Sequence, residues 1–259
     1  MTETLDALLE FAVETAHLAG KLTLGYYQAG VRPDLKNDDT PVTVADRGAD
    51  RCVRGRSEPP HPRHAIVGEE FGVQESQGAT HRWLIDPIDG TKAFVRGVPL
   101  YAVLLGLEIE GVVQVGAAYF PALDDMVYAA TGRGCWWNGR RARVSDVTSL
   151  DRAYVSCSDA GNFARYGRTA EWQRIMQATY HRAGLGDAYG YSLVATGRAE
   201  IMLDPIVSVW DCGPFPPILA EAGGYFGDWQ GNQTIYAGEA MAASNALLPA
   251  VLATLRGDD

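Results

Sequence analysis

No stretch of the chain approaches the roughly 18 consecutive apolar residues that a membrane-spanning helix needs, so no span is expected. The opening segment MTETLDALLEFAVETAHLAG carries three Glu, one Asp and no Lys or Arg. It lacks the basic start and unbroken apolar run of a secretory signal. Cysteine is scarce: Cys52, Cys135, Cys157 and Cys212 form no C-x-x-C pair. That speaks against zinc and against a disulfide framework, and predicts a reduced, cytoplasmic setting. Basic residues are in deficit, 22 Lys and Arg against 32 Asp and Glu, for a formal charge of −10. Such a chain is a poor partner for nucleic acid, where each phosphate contact takes Lys or Arg, and for an anionic membrane. Internal repeats and low-complexity tracts are absent too. What is there is a globular composition, 47% hydrophobic and 10% aromatic over 259 residues. That length suffices for one compact unit or two closely packed halves.

Leu5, Leu8, Leu9, Ala12, Val13, Ala16 and Ala19 recur at i, i+3, i+4 spacing and predict an amphipathic helix over about residues 4–29. A polar break, RPDLKNDDTP, precedes a second, poorer helix over 43–56, and SEPPHPRH reads as a proline-rich loop. Short apolar runs at Ala65–Gly68 and Trp83–Asp86 end in acids. Leu100–Ile109 and Val112–Phe120 read as adjacent strands joined at Glu110-Gly111. Met126–Ala130 and WWNGRRARVS continue the sheet, with Trp136-Trp137 as sheet packing or an interface patch. Beyond about residue 147 the pattern alternates. Strands are expected at Ala153–Cys157, Glu200–Asp204, 224–228 and 240–243, and helices at Thr169–His181, Asp187–Gly197, 212–222 and 246–256. This predicts an α/β (α+β) layered sandwich in two halves, 1–147 and 148–259, packed as one unit.

Four acidic stretches stand out: PVTVAD (41–46), VGEEFG (67–72), WLIDPIDGT (83–91) and VWDCG (209–213). Three of them follow short apolar runs, and strand ends converging on one edge are where open α/β sheets place their sites. In WLIDPIDGT an apolar strand delivers Asp86, Pro87 fixes a turn and removes a donor, and Asp89 follows, able to face the same point. Gly90 permits close backbone approach, and the Gly90 and Thr91 amides can open a helix N-terminus suited to an anion. Two carboxylates, the Ile88 carbonyl and an amide nest suit Mg²⁺ bridged to a phosphate. Taken alone, D-P-x-D-G also fits an acidic turn on a solvated edge, and GEE fits a surface loop. Trp210-Asp211 alone fits a buried aromatic with an N-cap acid. Glu69, Asp46 and Asp211 in matching contexts favour one shared site.

D-P-I-D-G-T downstream of G-E-E, with a later W-D before a helix ending E-A-G-G, resembles the inositol monophosphatase superfamily. The resemblance runs from the first helix to the final S-N-A-L-L segment. It implies an αβαβα layered sandwich, Mg²⁺-dependent phosphomonoesterase activity and a homodimer. DGTKAFVRGVP, with Lys92 where a second Thr is usual, resembles the histidinol-phosphate phosphatase branch. So do GLGDAYGYSLVATGRAEIMLDPIVSVWD and the DWQG that comes after AGGYF.

By the family pattern Glu69, Asp86 and the Ile88 carbonyl hold a first Mg²⁺, and Asp86, Asp89 and Asp211 hold a second. A third, weaker ion sits on the Glu69 side, with Asp46 assisting. Thr91 and Glu69 orient the attacking water, and Asp46 accepts a hydrogen bond from the Thr91 hydroxyl. Asp89, Gly90, Thr91, Asp187 and Asp204 meet the substrate. Asp204 keeps a second reading, as a strand-end acid before Pro205; Asp187 keeps one as a helix N-cap. Lys92 and Arg96 meet the phosphate, a partner chain or solvent. His17, His61, His64, His81 and His181 fall outside these motifs and read as solvated or capping. The chain departs from the pattern at Val44, where the branch often has an acid. It departs again in the run Cys212-Gly213-Pro214-Phe215-Pro216-Pro217, since proline costs roughly 3 kcal/mol inside a helix. The expected activity is hydrolysis of a small phosphate monoester, L-histidinol phosphate above all, as in histidine biosynthesis. The alternatives are inositol 1-phosphate or a broad set of sugar phosphates, or a non-catalytic ligand-binding protein on the same fold. Glu69, Asp86, Asp89, Thr91 and Asp211 are all present, which argues against the last.

Overall fold

Two helices open the chain, with the small residues Ala12, Ala16, Ala19 and Gly20 of the first and Ala45 and Ala49 of the second on their buried faces, which lets them lie close to the sheet beneath them. The computed structural model describes residues 3–36 and 40–258; residues 37–39, part of the polar break, lie outside them. Helix α1 (Leu5–Leu24) is capped by Thr4 and ends at Leu24, five residues before the expected end, with Gly25 as its C-cap. A two-stranded ladder of β1 (Asp34–Leu35) and β2 (Pro41–Val42) leads into α2 (Val44–Ser57). Then come β3 (Ala65–Gly68), β4 (Gly72–Gln74), β5 (His81–Asp89), the short helix α3 (Thr91–Val95), β6 (Ala102–Ile109), β7 (Val112–Phe120), β8 (Asp125–Ala130), β9 (Gly134–Trp137) and β10 (Arg140–Arg141). They form an eight-stranded sheet in the order β10-β9-β8-β7-β6-β5-β3-β4, antiparallel except between β3 and β5.

The second half supplies β11 (Tyr154–Cys157), α4 (Ala160–Arg165), α5 (Thr169–Ala178), β12 (His181–Gly184), α6 (Asp187–Ala195), β13 (Ile201–Asp204), α7 (Val209–Cys212), α8 (Phe215–Ala222), β14 (Gly224–Gly227), β15 (Ala240–Ser244) and α9 (Leu248–Arg256). Its five strands run β12-β11-β13-β15-β14. Neither α4 nor β12 is expected from the sequence. The helix read through His181 ends at Ala178 because Thr179 turns extended, and His181 then pairs with Tyr154.

Side chains on alternate positions of β6 settle the layering. Val103, Leu105 and Leu107 pack on Leu8, Ala12, Ala16 and Ala49 of the first two helices. Ala102 and Leu104 face the other way, onto Val194 of α6 and Ile218 and Leu219 of α8. A strand buried on both faces reads as one unbroken apolar run, as this one does. The second sheet packs on the same α6 and α8 through Met202 and Ala242. Its far face, Val155, Ile201 and Met241, is covered by Trp172 and Ile175 of α5 and Val251 of α9. The layers are therefore helix, sheet, helix, sheet, helix, an α/β sandwich. Among the described residues no helix is long and apolar enough to cross a membrane.

Two local features aim the acids. Strand β5 is longer than Trp83–Asp86, and Pro87-Ile88 is a β-bulge rather than a turn: Asp86 pairs with Leu104 but Asp89 with Ala102. A regular strand would send positions 86 and 89 to opposite faces; the extra residue turns both to one face. Pro87 has no N–H to leave unpaired there. The second feature is a glycine pair. Gly106 and Gly116 face each other across β6 and β7. A Cβ on Gly106 would sit 2.3 Å from the Gly213 carbonyl oxygen, and one on Gly116 would sit 2.0 Å from that of Pro214. The joint between α7 and α8 thus rests on bare backbone. The proline run does not spoil α8: Pro214 is its cap and Pro216 and Pro217 lie in its first turn, where amides need no helical acceptor.

Gly116→Ala should therefore destabilise the protein by about 1–3 kcal/mol or more, since the clash is with backbone. Gly55→Ala, in α2 with nothing within 4 Å of the new methyl, should stabilise by about 0.5–1 kcal/mol. Urea unfolding of both checks the pair; equal effects would contradict the close approach.

Candidate active site

The bulge, the ends of β3 and β13, and the starts of α3, α6 and α7 converge on one cavity of about 190 Å³. Glu69, Asp86, Asp89, Asp187, Asp204 and Asp211 line it, with Ile88, Gly90, Thr91 and Lys92. Asp86, Asp89 and Asp211 each present an oxygen, all within 4.8 Å of one another. Glu69 shares the cavity but lies outside that tight group.

Two of the site acids are the third residues of helix capping boxes. In Thr43-Val44-Ala45-Asp46 the Thr43 amide donates to Asp46 Oδ2 at 2.8 Å, and the Thr43 hydroxyl to the same oxygen at 2.5 Å. In Ser208-Val209-Trp210-Asp211 the Ser208 amide donates to Asp211 Oδ2 at 2.8 Å. Asp211 thus sits inside a short helix rather than ahead of one. Asp86 Oδ1 accepts from the Ile88 amide at 3.0 Å, and Asp89 Oδ2 from the Ala188 amide of α6 at 2.8 Å. Thr91 Oγ1 lies 3.2 Å from Asp46 Oδ1 and 3.1 Å from the Ile88 carbonyl oxygen, so one proton serves either acceptor. Gly90, at φ 80°, caps α3; its missing Cβ leaves room for Asp187 Oδ2, which would be 3.1 Å from one.

Burial and mutual repulsion raise these carboxyls together. Asp86 stands well above the ordinary aspartate value through burial, then Glu69, Asp89 and Asp211. Asp89 does so through burial, then Asp187 and Asp211, against the Ala188 amide. Burial lifts Asp211 and Asp204 to about 7 each. Asp187 is raised by burial, with the charge of Lys92 pulling the other way. Hard oxygen donors whose negative charge is this crowded fit a divalent cation such as Mg²⁺. The residues that would hold one are Asp86, Asp89 and Asp211, with Glu69 and the Ile88 carbonyl beside them.

Several expectations change. Gly186, not Asp187, is the α6 N-cap; Asp187 is the first helical residue and faces the cavity. Asp204 ends β13 and is already engaged: Oδ1 accepts from the Ser158 amide at 3.0 Å and hydroxyl at 2.5 Å, and Oδ2 from Tyr191 at 2.9 Å. Arg96 is exposed and folds back on the Lys92 carbonyl. Lys36, passed over in the polar break, donates to Glu69 Oε1 at 2.7 Å and Glu70 Oε1 at 2.6 Å. Burial alone would depress its ammonium, but those two bonds hold it above the ordinary lysine value. Only its acidic surroundings in sequence could have signalled this.

Three histidines are neither solvated singly nor caps. His61, His64 and His81 stack in a column with centroids 4.7 and 4.6 Å apart. Glu3 joins His61 Nδ1 at 2.5 Å and His64 Nε2 at 2.9 Å, and the three could converge on a cation. The Trp83 indole argues otherwise. It can only donate, and it does so to His64 Nδ1 at 3.1 Å. The neutral ring must then carry its proton on Nε2, the atom a metal would need bare.

Known proteins place the chain. The model of the "Inositol monophosphatase family" matches residues 4–258. A histidinol-phosphatase of Chlorobaculum parvum is 40% identical over 238 residues, covering 92% of each protein. One from Mycobacterium tuberculosis is 37% identical and covers 95% of this chain and 97% of that protein. A solved inositol monophosphatase from Anabaena superposes with a TM-score of 0.86 at 28% identity, covering 98% of this chain and 96% of that one.

The crowded carboxyls give a pH dependence with a defined sign. Asp204 and Asp211 near 7 lie above the ordinary value of about 4, so the folded protein keeps protons that the unfolded chain has lost. Without added metal their contribution to stability should fall as pH rises from about 4 to about 7. At Asp211 and its neighbours Asp86 and Asp89 a divalent cation would take the place of such protons. The rise in melting temperature on adding Mg²⁺ to chelator-treated protein should be larger at pH 8 than at pH 5. Equal rises would show that the acids do not titrate as a cluster.

Proposed function

Since the chain belongs to the inositol monophosphatase family, we propose that this phosphatase hydrolyses L-histidinol phosphate with Mg²⁺ as its ion. The observation that carries the reaction class is the Asp86–Asp89–Asp211 cluster beside the Thr91 hydroxyl. Bound Mg²⁺ would supply a more acidic water and offset negative charge on the phosphate and the leaving oxygen.

The chain's own residues do the rest. Asp46 cannot swing away, because the Thr43 amide and hydroxyl hold its other oxygen. Thr91, donating to Asp46 or to the Ile88 carbonyl, turns its own oxygen to accept a proton from water in the cavity, with Glu69 across from it. The Thr91–Asp46 pair is thereby a proton relay that starts in the cavity and ends on a buried carboxylate. Gly90 and the first residues of α3 form the floor for the phosphate.

For the organic half, Asp187 is the acid best placed for a substrate ammonium. Asp204 already accepts three hydrogen bonds, whereas Asp187 faces the cavity from the start of α6. The relatives named histidinol-phosphatase at 40% and 37% identity support this choice. The homodimer belongs to the same proposal.

Phosphate release with Mg²⁺ should be faster from L-histidinol phosphate than from myo-inositol 1-phosphate; the reverse preference would overturn the substrate while keeping the reaction. Asp187→Asn should raise KM for histidinol phosphate about ten- to a hundredfold, the worth of a charge-assisted hydrogen bond. A simple alkyl phosphate should hardly notice the change, and equal losses on both would assign Asp187 to the fold. Thr91→Ala should cut kcat about a hundredfold with little change in Mg²⁺ affinity. Loss of metal with an unchanged rate per bound ion would refute the relay.

A further inference from the structure

We propose that Asp50 and Arg54 of α2 are positioning residues that fix Glu69 in the cavity by clamping both legs of the turn that carries it. The proposal rests on the reading of Glu69 as a group that holds the metal.

Asp46, Asp50 and Arg54 are spaced by four, so they share one face of α2. Asp46 serves Thr91 from the first turn. Asp50 and Arg54 serve a different element, the hairpin of β3 and β4, whose turn is residues 69–71. Arg54 Nε donates to Asp50 Oδ1 at 2.5 Å, and Arg54 Nη2 to the Gly72 carbonyl at 2.8 Å. Gly72 pairs with Gly68 at the base of the turn. The Gly68 leg lies against the same pair: a Cβ there would meet Arg54 Nη2 at 2.7 Å and Asp50 Oδ2 at 3.1 Å. On its other side the turn is tied by the Glu69 amide, which donates to the Ile85 carbonyl of β5 at 3.2 Å. Above it, Arg51 lies over the Phe71 ring at 5.1 Å. The turn that carries Glu69 is thus held from the sheet by Ile85, at Glu69 itself, and from the helix by Arg54, at Gly72 and Gly68.

Asp50 shows that this arrangement is kept against a penalty. Its side chain is fully buried, and Oδ2 has no hydrogen-bond partner. A buried polar atom left unpaired costs stability, and a purely structural contact would be made more cheaply by an apolar pair. What Asp50 does have is the guanidinium, fixed in the one orientation that reaches Gly72. Glu69 needs such fixing because its carboxylate stands among like charges and opposite Lys36, which also draws it toward Glu70.

The test changes the pair together, Asp50→Asn with Arg54→Gln, so that no unpaired buried charge remains. Mg²⁺ binding is measured by titration calorimetry on wild type, on the pair variant, on Glu69→Gln and on the combination, with melting temperatures recorded for each. The pair variant should weaken Mg²⁺ binding by about tenfold or more, the usual effect of removing a group that orients a metal ligand. In the Glu69→Gln background the same change should matter less than about twofold. An unchanged Mg²⁺ affinity, or an equal loss in both backgrounds, overturns the proposal and leaves the clamp a matter of stability alone. If Glu69→Gln itself leaves Mg²⁺ binding intact, the metal role of Glu69 falls and this proposal with it. Should the pair variant not fold, Gly68→Ala replaces it: one methyl displaces the Arg54 tip and should weaken Mg²⁺ binding in the same Glu69-dependent way, and unchanged binding again overturns the proposal.

Discussion

Asp86, Asp89 and Asp211 are gathered within 4.8 Å in the interior, and the fold has to hold them there against their own repulsion. Two unit charges about 5 Å apart repel by ~3 kcal/mol at an effective dielectric near 20. All three carboxyls stand above the ordinary aspartate value, through burial first and the negative charge of neighbouring carboxylates second. Such a cluster persists only on a scaffold with little freedom to relax. Here it is set between two sheets, with the strands of the larger one buried on both faces.

The scaffold restrains each acid by the same device. Asp46, Asp86, Asp89, Asp204 and Asp211 each give one oxygen to a backbone amide, from Thr43, Ile88, Ala188, Ser158 and Ser208. An amide donor fixes the carboxylate's rotation without adding a titratable group to the cavity. It also leaves the second oxygen for other work: at Asp46 it faces Thr91, at Asp204 Tyr191. Glu69 has a longer side chain and no such amide from its own turn. That is why the turn beneath it needs Arg54 and Asp50 where these aspartates are each held by a backbone amide.

Much of this could be read in the sequence because acids that end apolar runs are costly unless used. The strands carrying Glu69, Asp86 and Asp89 and the layered order of elements follow from such runs. The third-position acids of T-V-A-D and S-V-W-D were equally open to a reading as capping boxes; Asp211 was instead placed just ahead of a helix over 212–222, whereas it is the third residue of its own short helix. The bulge at Pro87-Ile88 was read as a turn, since its register depends on β6, which lies later in the chain. The edge strand β12, HRAG, is mostly exposed and carries no apolar pattern; its pairing with Tyr154–Cys157 defines it. Lys36 and the Glu3 that joins the histidine column make their contacts across about 30 and 60 residues, beyond any local periodicity.

The two sheets divide the work at the cavity. The larger sheet and its helices bring Glu69, Asp86, Asp89, Thr91 and Asp46, whose placement depends on the bulge, the α2 face and the β3–β4 turn. The second half brings Asp211, Asp187 and the Ala188 amide, all from helix starts in the middle layer. Those starts are located by packing: α7 through Gly213 and Pro214 on the Gly106–Gly116 flat, α6 through Ala188 and Val194 in the central core. Asp89 ties the halves together, since its neighbours along β5 belong to one half and its hydrogen-bond donor to the other. A change that slides the middle layer would therefore move Asp211 and Asp187 relative to Asp86 without disturbing Thr91 and Asp46. On the proposed mechanism, metal geometry and substrate fit would be coupled through that layer, while the Thr91–Asp46 relay would be insulated from it.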